Sequence, residues 1–502
     1  MLWWQNIPFI TILLSMLTAI ISAVLNGKAA KILSLSVMTA ISAASAVLLF
    51  NVSKTGEAFT YLMGHFPAPW GNEIRAGVLE SMLAVFFSII MILALIGGMK
   101  HVEEDIEPSK LNLYFVMTDL MLGAVLAMIY TNDIFTGYVF IEILTLSTCA
   151  ILIIRQIGAT TLAAVRYMCM SLLGSGLFLI GVTLTFDLTG HLLMPNMKLS
   201  FETAAKSGEY AIPILMCMLL MTIGLAIKSG LFPFHFWMPD TYGYATPASG
   251  SILSGIVSKA YIIMLIKIYF RIIGLDILSQ SHIRDVLFIF GLAGIIFGSL
   301  SAIREQDIRR MVAFSSAAQI GYVFTAISFG TEAGFVAAIF HILTHALTKP
   351  LLFLSASKLS DVSGGSKKFD ELQGSGRRNI IAGIGFTAGA LSMVGMPILS
   401  GFITKLLIGT ASLENPYTAV PTLIVLAIST VLNSIYFLKT VITIYYPERH
   451  PFEPKADTER SFLARDGVFA VVVAVFIALN VFLGTFSHTV TDAISAGLSM
   501  FG

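Results

Sequence analysis

Long apolar runs of about 20 residues alternate with short polar stretches along almost the whole chain. That length is what an α-helix needs to cross the hydrocarbon core of a bilayer, roughly 30 Å at 1.5 Å per residue. The runs fall near residues 8–25, 30–50, 78–98, 111–130, 134–154, 160–186, 212–232, 246–273, 284–302, 308–329, 332–356, 379–410, 418–446 and 466–487. The pattern predicts an all-α membrane protein of about 14 transmembrane helices, forming a single membrane domain over 1–502. The two longest inner connections, DVSGGSKKFDELQGSGRRN and PERHPFEPKADTERSFLAR, are polar and rich in Gly or Pro, as solvated loops are. The N-terminal run MLWWQNIPFITILLSMLTAIISAVLNGK has no charged leader and no small-residue cleavage site, so it is expected to be the first span.

Composition agrees with a bilayer as solvent. Hydrophobic residues make up 56% of the 502 and charged residues only 12%, with a mean hydropathy of +0.87. A formal net charge of +1 argues against a nucleic-acid partner and for local, buried use of charge. The three cysteines, Cys149, Cys169 and Cys217, lie in apolar segments without metal-ligand spacing and are expected to be small buried residues. Basic residues in short loops set the orientation, because they stay preferentially on the cytoplasmic side. An outward N-terminus puts Lys28, Lys31, Lys100, Lys110, Arg155, Arg304, Arg309, Arg310, Lys367, Lys368, Arg377, Arg378, Arg449, Lys455, Arg460 and Arg465 inside. Chiefly Lys54, Arg75, Lys198, Lys206 and Arg284 are left outside. An even number of spans then faces both termini outward, in a plasma membrane.

Ionisable residues inside the spans are costly unless paired or hydrated, and here they occur on five different helices. Glu142 lies in the fifth run, Lys228 in the seventh and Lys259 in the eighth. His341, His345 and Lys349 lie in the eleventh, and Lys405 in the twelfth. One such residue alone reads equally well as a neutralised carboxylate or a satisfied core histidine. Spread over five helices, they read as groups that carry an ion across the membrane. Lysine and histidine suit proton transfer, because burial and neighbours bring buried pKa values together and histidine titrates near neutral pH. Four-residue spacing sets His341, His345 and Lys349 on one stripe of a helix, with Pro350 directly after it expected to bend or hydrate the helix locally. The HILTH pair lacks the glutamate of HExxH and has no evident third ligand, so no metal site is expected. Lys267, Arg271 and Lys439 lie toward the ends of their runs and are expected to snorkel.

The seventh and twelfth runs also carry helix breakers beside their lysines. IKSGLFPFHFWMPD holds Pro233 and Pro239, and SMVGMPILSGFITK holds Gly395, Pro397 and Gly401. Interrupted helices at matching positions in two halves of a chain are the mark of an inverted repeat with its site near the midplane. The halves are spans 4–8, residues 111–273, and spans 9–13, residues 284–446. Residues 1–110 precede them with three helices, and 466–487 follow as helix 14. No Walker motif, no dinucleotide-binding glycine pattern and no haem or iron–sulfur spacing occurs, so neither nucleotide hydrolysis nor electron transfer is expected of this chain, and no cofactor.

The stretches FIEILTLS, AIKSGLFPFHFWMPD, SGSILSGIVSKAY, REQDIRRMVAFSSAAQIGYV, FHILTHALTKPLLFLSAS and GMPILSGFITK resemble the antiporter-like subunit family of respiratory complex I, the related membrane-bound hydrogenases and Mrp sodium/proton antiporters. The resemblance implies fourteen core helices with two inverted five-helix repeats and broken helices 7 and 12. It implies that Glu142 and Lys228 are the carboxylate–lysine pair of a first half-channel and Lys259 the central lysine. His341 and His345 would be connecting histidines and Lys405 the terminal lysine, with Lys349 in the same motif. The chain ends soon after span 14, without the long lateral helix of the distal complex I subunit, and HFPAPWGNEIRAGVLES resembles the Mrp and hydrogenase branches more. After WMPD stand Thr241 and Tyr242 where the family often has Ala-His, and Glu80 stands where relatives more often have aspartate.

Together these observations point to an ion-translocating subunit of a larger membrane complex of the Mrp antiporter or hydrogenase type. Its partners would be other membrane subunits and lipid, and its cargo protons, with sodium exchange as a further option. Two alternatives stay open: a proton-pumping subunit of an NADH:quinone oxidoreductase, whose redox centres would sit in partner chains, and an unrelated solute transporter with broken helices.

Overall fold

In a computed structural model the protein is described over residues 2–66, 71–208, 210–447 and 462–501. Among these residues, thirteen helices are long and apolar enough to cross a membrane. Spans one to six are Trp3–Val24, Gly27–Thr55, Val78–Asp105, Pro108–Tyr130, Ile134–Ile153 and Gly158–Thr189. Spans seven to eleven are Ala211–Tyr244, Pro247–Ile273, Ile283–Arg304, Ile308–Ser328 and Glu332–Asp361. The twelfth expected span consists of two shorter helices, Ile380–Val394 and Ser400–Ser412. Pro416–Tyr445 is the thirteenth and Asp466–Thr485 the fourteenth. The connection expected on the inner side, carrying Arg449, Lys455 and Arg460, lies outside the described residues.

The bundle is built around its most polar helices. The apolar window of the eighth span is wholly buried, and those of the tenth and eleventh are 94% buried. Their serines, threonines, lysines and histidines are thereby kept from lipid, where unpaired polar groups cost several kcal/mol each, as an order of magnitude. Outer helices turn apolar side chains outward, such as Ile20 and Val24 of the first, Leu172 and Ile180 of the sixth and Val431 of the thirteenth. The eleventh span continues as one helix through Pro350, with both of its histidines buried. Gly255 packs there against the Pro350 ring and the carbonyl of Ala346, the group that a proline at position 350 leaves without a helical donor.

Both expected breaks are present, and they stop their first halves in the same way. Ala211–Ser229 ends at Gly230, with φ 81°, and Ile380–Val394 ends at Gly395, with φ 95°. Left-handed backbone of this kind favours glycine. In the first break the Leu231 amide donates to the Ala226 carbonyl, and in the second the Met396 amide donates to the Leu391 carbonyl, at 3.0 Å in each case. This reversed bond closes the last turn while the chain leaves the helix axis. Past the first break the chain resumes as Met238–Tyr244, and past the second as Ser400–Ser412.

Elements outside the spans add to the helices. Strands Phe59–Leu62 and Glu73–Ala76 pair antiparallel, with Thr60 opposite Arg75. A helix Met194–Ser207 lies between the sixth and seventh spans, and Ser487–Ser499 follows the fourteenth.

Candidate functional site

The fifth and seventh spans bring Glu142 and Lys228 together. The Lys228 Nζ stands 3.6 Å from Glu142 Oε1, an ion-pair separation longer than a good hydrogen bond. Each partner makes its shorter contact elsewhere. Lys228 donates to Thr145 Oγ1 at 2.7 Å, one helical turn past Glu142, and Glu142 accepts from the Ser175 hydroxyl of the sixth span. Lys228 is fully enclosed, whereas 24% of the Glu142 side chain is exposed on the flank of the bundle. The lysine ammonium also lies 5.4 Å from the centre of the Tyr261 ring. The Tyr261 hydroxyl is 3.3 Å from Thr145 Oγ1, which links the pair to the eighth span.

Lys259 sits on that span, two residues before Tyr261, and is buried. It follows a π-helical turn, Leu253–Val257, in which the wider spiral leaves the α-helical register. The Lys259 ammonium donates to the Ser254 carbonyl of this turn and to Ser258 Oγ at 3.0 Å. No carboxylate faces it within ion-pair distance among the described residues. Across the interface Ser254 Oγ meets Ser316 Oγ of the tenth span at 2.9 Å. Lys349, on the eleventh, donates to neighbouring groups of that same tenth helix: the Ser315 hydroxyl, and the Val312 carbonyl at 3.0 Å. Its ammonium lies 5.9 Å from the centre of the Phe437 ring.

The two histidines continue the row. The His341 and His345 rings are 6.1 Å apart, and His341 is 5.5 Å from the Tyr322 ring. Both are buried, and none of their four ring nitrogens makes a well-formed hydrogen bond among the described residues, the backbone of Gln319 being the polar group that approaches His341. Lys259 and Lys349 act on both electrostatically. At the far end, Lys405 donates to the Val394 carbonyl at 2.6 Å and to Thr430 Oγ1 at 2.8 Å. The Val394 carbonyl is one of those a helix leaves free at its last turn, and it is open because the helix is broken there. Lys405 is half-buried and lines a cleft of about 440 Å³ together with Gly395, Phe402 and Thr430.

All seven ionisable residues singled out in the sequence are therefore withdrawn wholly or partly into the bundle. Five of them are buried, and Glu142 and Lys405 are partly exposed on the flank of the bundle. Of the break residues, Gly395 touches the site directly, since a Cβ there would meet the Lys405 side chain at 3.1 Å. Pro233, Pro239 and Pro397 shape the breaks from outside the hydrogen-bonded row.

Three expectations are corrected. Lys267 and Arg271 do not snorkel: they are 1% and 6% exposed, because the eighth span has no lipid-facing side to snorkel along. Lys267 instead donates to the carbonyls of Met128, Ile129 and Thr131 at 3.3, 2.7 and 2.5 Å, a cation set on the C-terminal end of the fourth span. Cys169 is exposed and only Cys149 and Cys217 are buried, because the sixth span has a broad outward face. Lys439 is exposed, as a snorkelling lysine must be.

Other groups of the site had no signal of their own. Thr145, Ser175, Tyr261, Ser315 and Thr430 carry common membrane-helix hydroxyls and gain meaning only from their partners. Asp119 did have a signal, a lone carboxylate in an apolar run. It is buried in the fourth span and accepts from Ser34 Oγ at 2.6 Å and Ser22 Oγ at 3.4 Å.

Comparison with known proteins identifies the family. A relative from Desulforudis audaxviator, a subunit of NADH-quinone oxidoreductase, is 28% identical over 414 residues, covering 82% of this chain and 80% of its own. A subunit of a Na(+)/H(+) antiporter from Bacillus subtilis is 25% identical over 418 residues, 83% of this chain and 82% of its own. In structure, a chain of the membrane-bound sulfane sulfur reductase, an archaeal respiratory membrane complex, superimposes with a TM-score of 0.87 at 23% identity, covering 99% of this chain and 98% of that one. The model of the family described as NADH:quinone oxidoreductase/Mrp antiporter, TM, matches residues 131–433, more than half of the sequence and a range within which the seven residues of the row fall. The chain belongs to the NADH:quinone oxidoreductase/Mrp antiporter transmembrane family.

Proposed function

We propose that this chain is the ion-translocating subunit of a multi-subunit membrane complex and moves protons along Glu142, Lys228, Lys259, His341, His345, Lys349 and Lys405. The observation that carries this reading is the gathering of seven ionisable groups from five spans in the bundle, five of them buried and Glu142 and Lys405 partly exposed on its flank. Hydroxyls of Thr145, Tyr261, Ser254, Ser315 and Thr430 stand beside its members. Glu142 and Lys228 form the adjustable element: their ion pair is long, and each already has a second partner. Closing the pair favours the charged lysine; opening it releases a proton toward Lys259, since opposite charges in a low-dielectric site act on one another strongly.

In this reading residues 111–273 and 284–446 are two inverted repeats, each supplying one broken helix, and both termini face outward from the plasma membrane. The Mrp antiporter type of complex is favoured by the named relative from Bacillus subtilis, with sodium exchange as its counterpart reaction. A second reading, a proton-pumping subunit of an NADH:quinone oxidoreductase, is supported by the relative from Desulforudis audaxviator. Purification with partner chains separates the two, since iron–sulfur subunits accompany only the second.

The experiment that tests the common part is Glu142→Gln in the intact complex. Proton movement into vesicles, read with a pH-sensitive dye, is expected to fall about tenfold (~1.4 kcal/mol), between the values for exposed and buried ion pairs. Wild-type transport in assembled Glu142→Gln complex would overturn the role of the pair.

A further inference from the structure

The fourteenth span carries no ionisable member of the row, yet one of its residues is hydrogen-bonded to both helices that hold the row's last part. Asn480 is 2% exposed. Its Oδ1 accepts from the Ser400 backbone amide at 3.2 Å, from Ser400 Oγ at 3.1 Å and from Ser392 Oγ at 3.1 Å. Ser392 and Ser400 lie on the two sides of the break in the twelfth helix, Gly395–Leu399. Its Nδ2 donates to Thr348 Oγ1 of the eleventh span at 2.8 Å. The orientation of the amide is settled by chemistry, because a backbone N–H only donates and must face the oxygen.

The bonds continue into a ring. Thr348 Oγ1 donates to the Thr344 carbonyl at 2.7 Å, Thr404 Oγ1 lies 3.3 Å from Thr344 Oγ1, and it also lies 3.2 Å from the Ser400 carbonyl. Thr344 and Thr348 immediately precede His345 and Lys349, and Thr404 immediately precedes Lys405. One turn beyond Asn480, Gly484 packs against the break itself: a Cβ on it would collide with the Ile398 carbonyl. Ile398 itself has φ 76°, a left-handed conformation that a β-branched residue adopts only when its surroundings impose it. Two residues of span 14, four apart and hence on one face, thus hold the break: Asn480 bonds its two flanks and Gly484 seats its middle.

We infer that Asn480 is a positioning residue: it locks the broken twelfth helix against the eleventh span and so sets where Lys405 stands relative to His345 and Lys349. This rests on the proposed ion path. The amide does not need to carry a proton; it fixes the break, whose freed Val394 carbonyl is the partner of Lys405. Removing it leaves the Ser400 amide, Ser400 Oγ, Ser392 Oγ and Thr348 Oγ1 to find other partners, and the break is free to shift.

The test is Asn480→Leu, close in volume and without polar atoms, in the intact complex, with Lys405→Ala measured beside it. Proton movement per assembled complex is expected to fall about tenfold, the effect of leaving buried donors unpaired. The pH at which transport is half-maximal is expected to move as well, because the Lys405 surroundings change. Asn480→Ser, which keeps one hydroxyl, is expected to lie between wild type and Asn480→Leu, and it takes the place of the leucine variant should that variant not assemble. A wild-type rate and pH profile in assembled Asn480→Leu or Asn480→Ser overturns the inference. So does a loss that only follows the amount of assembled complex, with the pH profile unmoved. If Lys405→Ala transports normally, the ion path itself fails; if only the Asn480 variants are silent, the path stands and the clamp falls.

Discussion

Lys259→Met is expected to lower proton movement by the complex about 100-fold, the loss seen when a positioned acid–base group is removed. Lys259 lies on the wholly buried eighth span, two residues before Tyr261, whose ring faces the Lys228 ammonium. Its ammonium is held by the Ser254 carbonyl and Ser258 Oγ, and neither offers an ionisable substitute. Methionine has a similar volume and removes a buried charge that no carboxylate offsets. The exchange relieves the cost of keeping an unpaired polar head in the bundle interior. Against that stands one carbonyl left without its donor, about 1–3 kcal/mol. The complex should therefore assemble and fail to transport. Normal transport by assembled Lys259→Met complex would show that protons cross between the halves without this residue, whereas loss of assembly would mean that the lysine serves the packing of the eighth span.

The sequence is most informative where the bilayer imposes a simple rule. A span must be about 20 apolar residues long, so the runs and their order are legible, and a charge in such a run stands out. Glu142, Lys228, Lys259, His341, His345, Lys349 and Lys405 are visible on that ground alone. The two breaks are legible because glycine and proline mark the positions where a helix cannot continue. Depth along a helix says nothing about which side faces lipid, however, and this is why the sequence misplaces Lys267 and Arg271. Position near the end of a run suits both a snorkelling lysine and one that caps a neighbouring helix; only the packing around the eighth span separates them. Asn480 is unreadable for a related reason. Its role depends on the Ser400 amide, Ser392 and Thr348 converging on it from two other elements, and no spacing within span 14 encodes that. The strands Phe59–Leu62 and Glu73–Ala76 are hidden in a connection, and Arg75 of the second makes a buried ion pair at 2.8 Å with Glu80 in the first turn of the third span.

Lys228→Met is expected to lower transport to a similar extent, about 100-fold, and its combination with Glu142→Gln is the more discriminating measurement. If the two residues act as one element, removing the lysine leaves Glu142 nothing to modulate, so the double variant should transport no worse than Lys228→Met alone. Independent contributions would instead multiply, giving about 1,000-fold from a 100-fold and a tenfold loss, since effects add in free energy when sites do not couple. The geometry favours coupling: 3.6 Å separates the charges, and Thr145, which accepts from Lys228, lies one turn from Glu142 on the same helix. Thr145→Val adds a control on the lysine's second partner. It keeps shape while removing the hydroxyl that holds Lys228 at 2.7 Å and touches Tyr261 at 3.3 Å. With that partner gone, Lys228 has only Glu142 to bind, so the pair should close and transport should slow by a few-fold, on the order of one neutral hydrogen bond. Faster transport in Thr145→Val, or multiplying losses in the double variant, would contradict a pair that works by opening and closing.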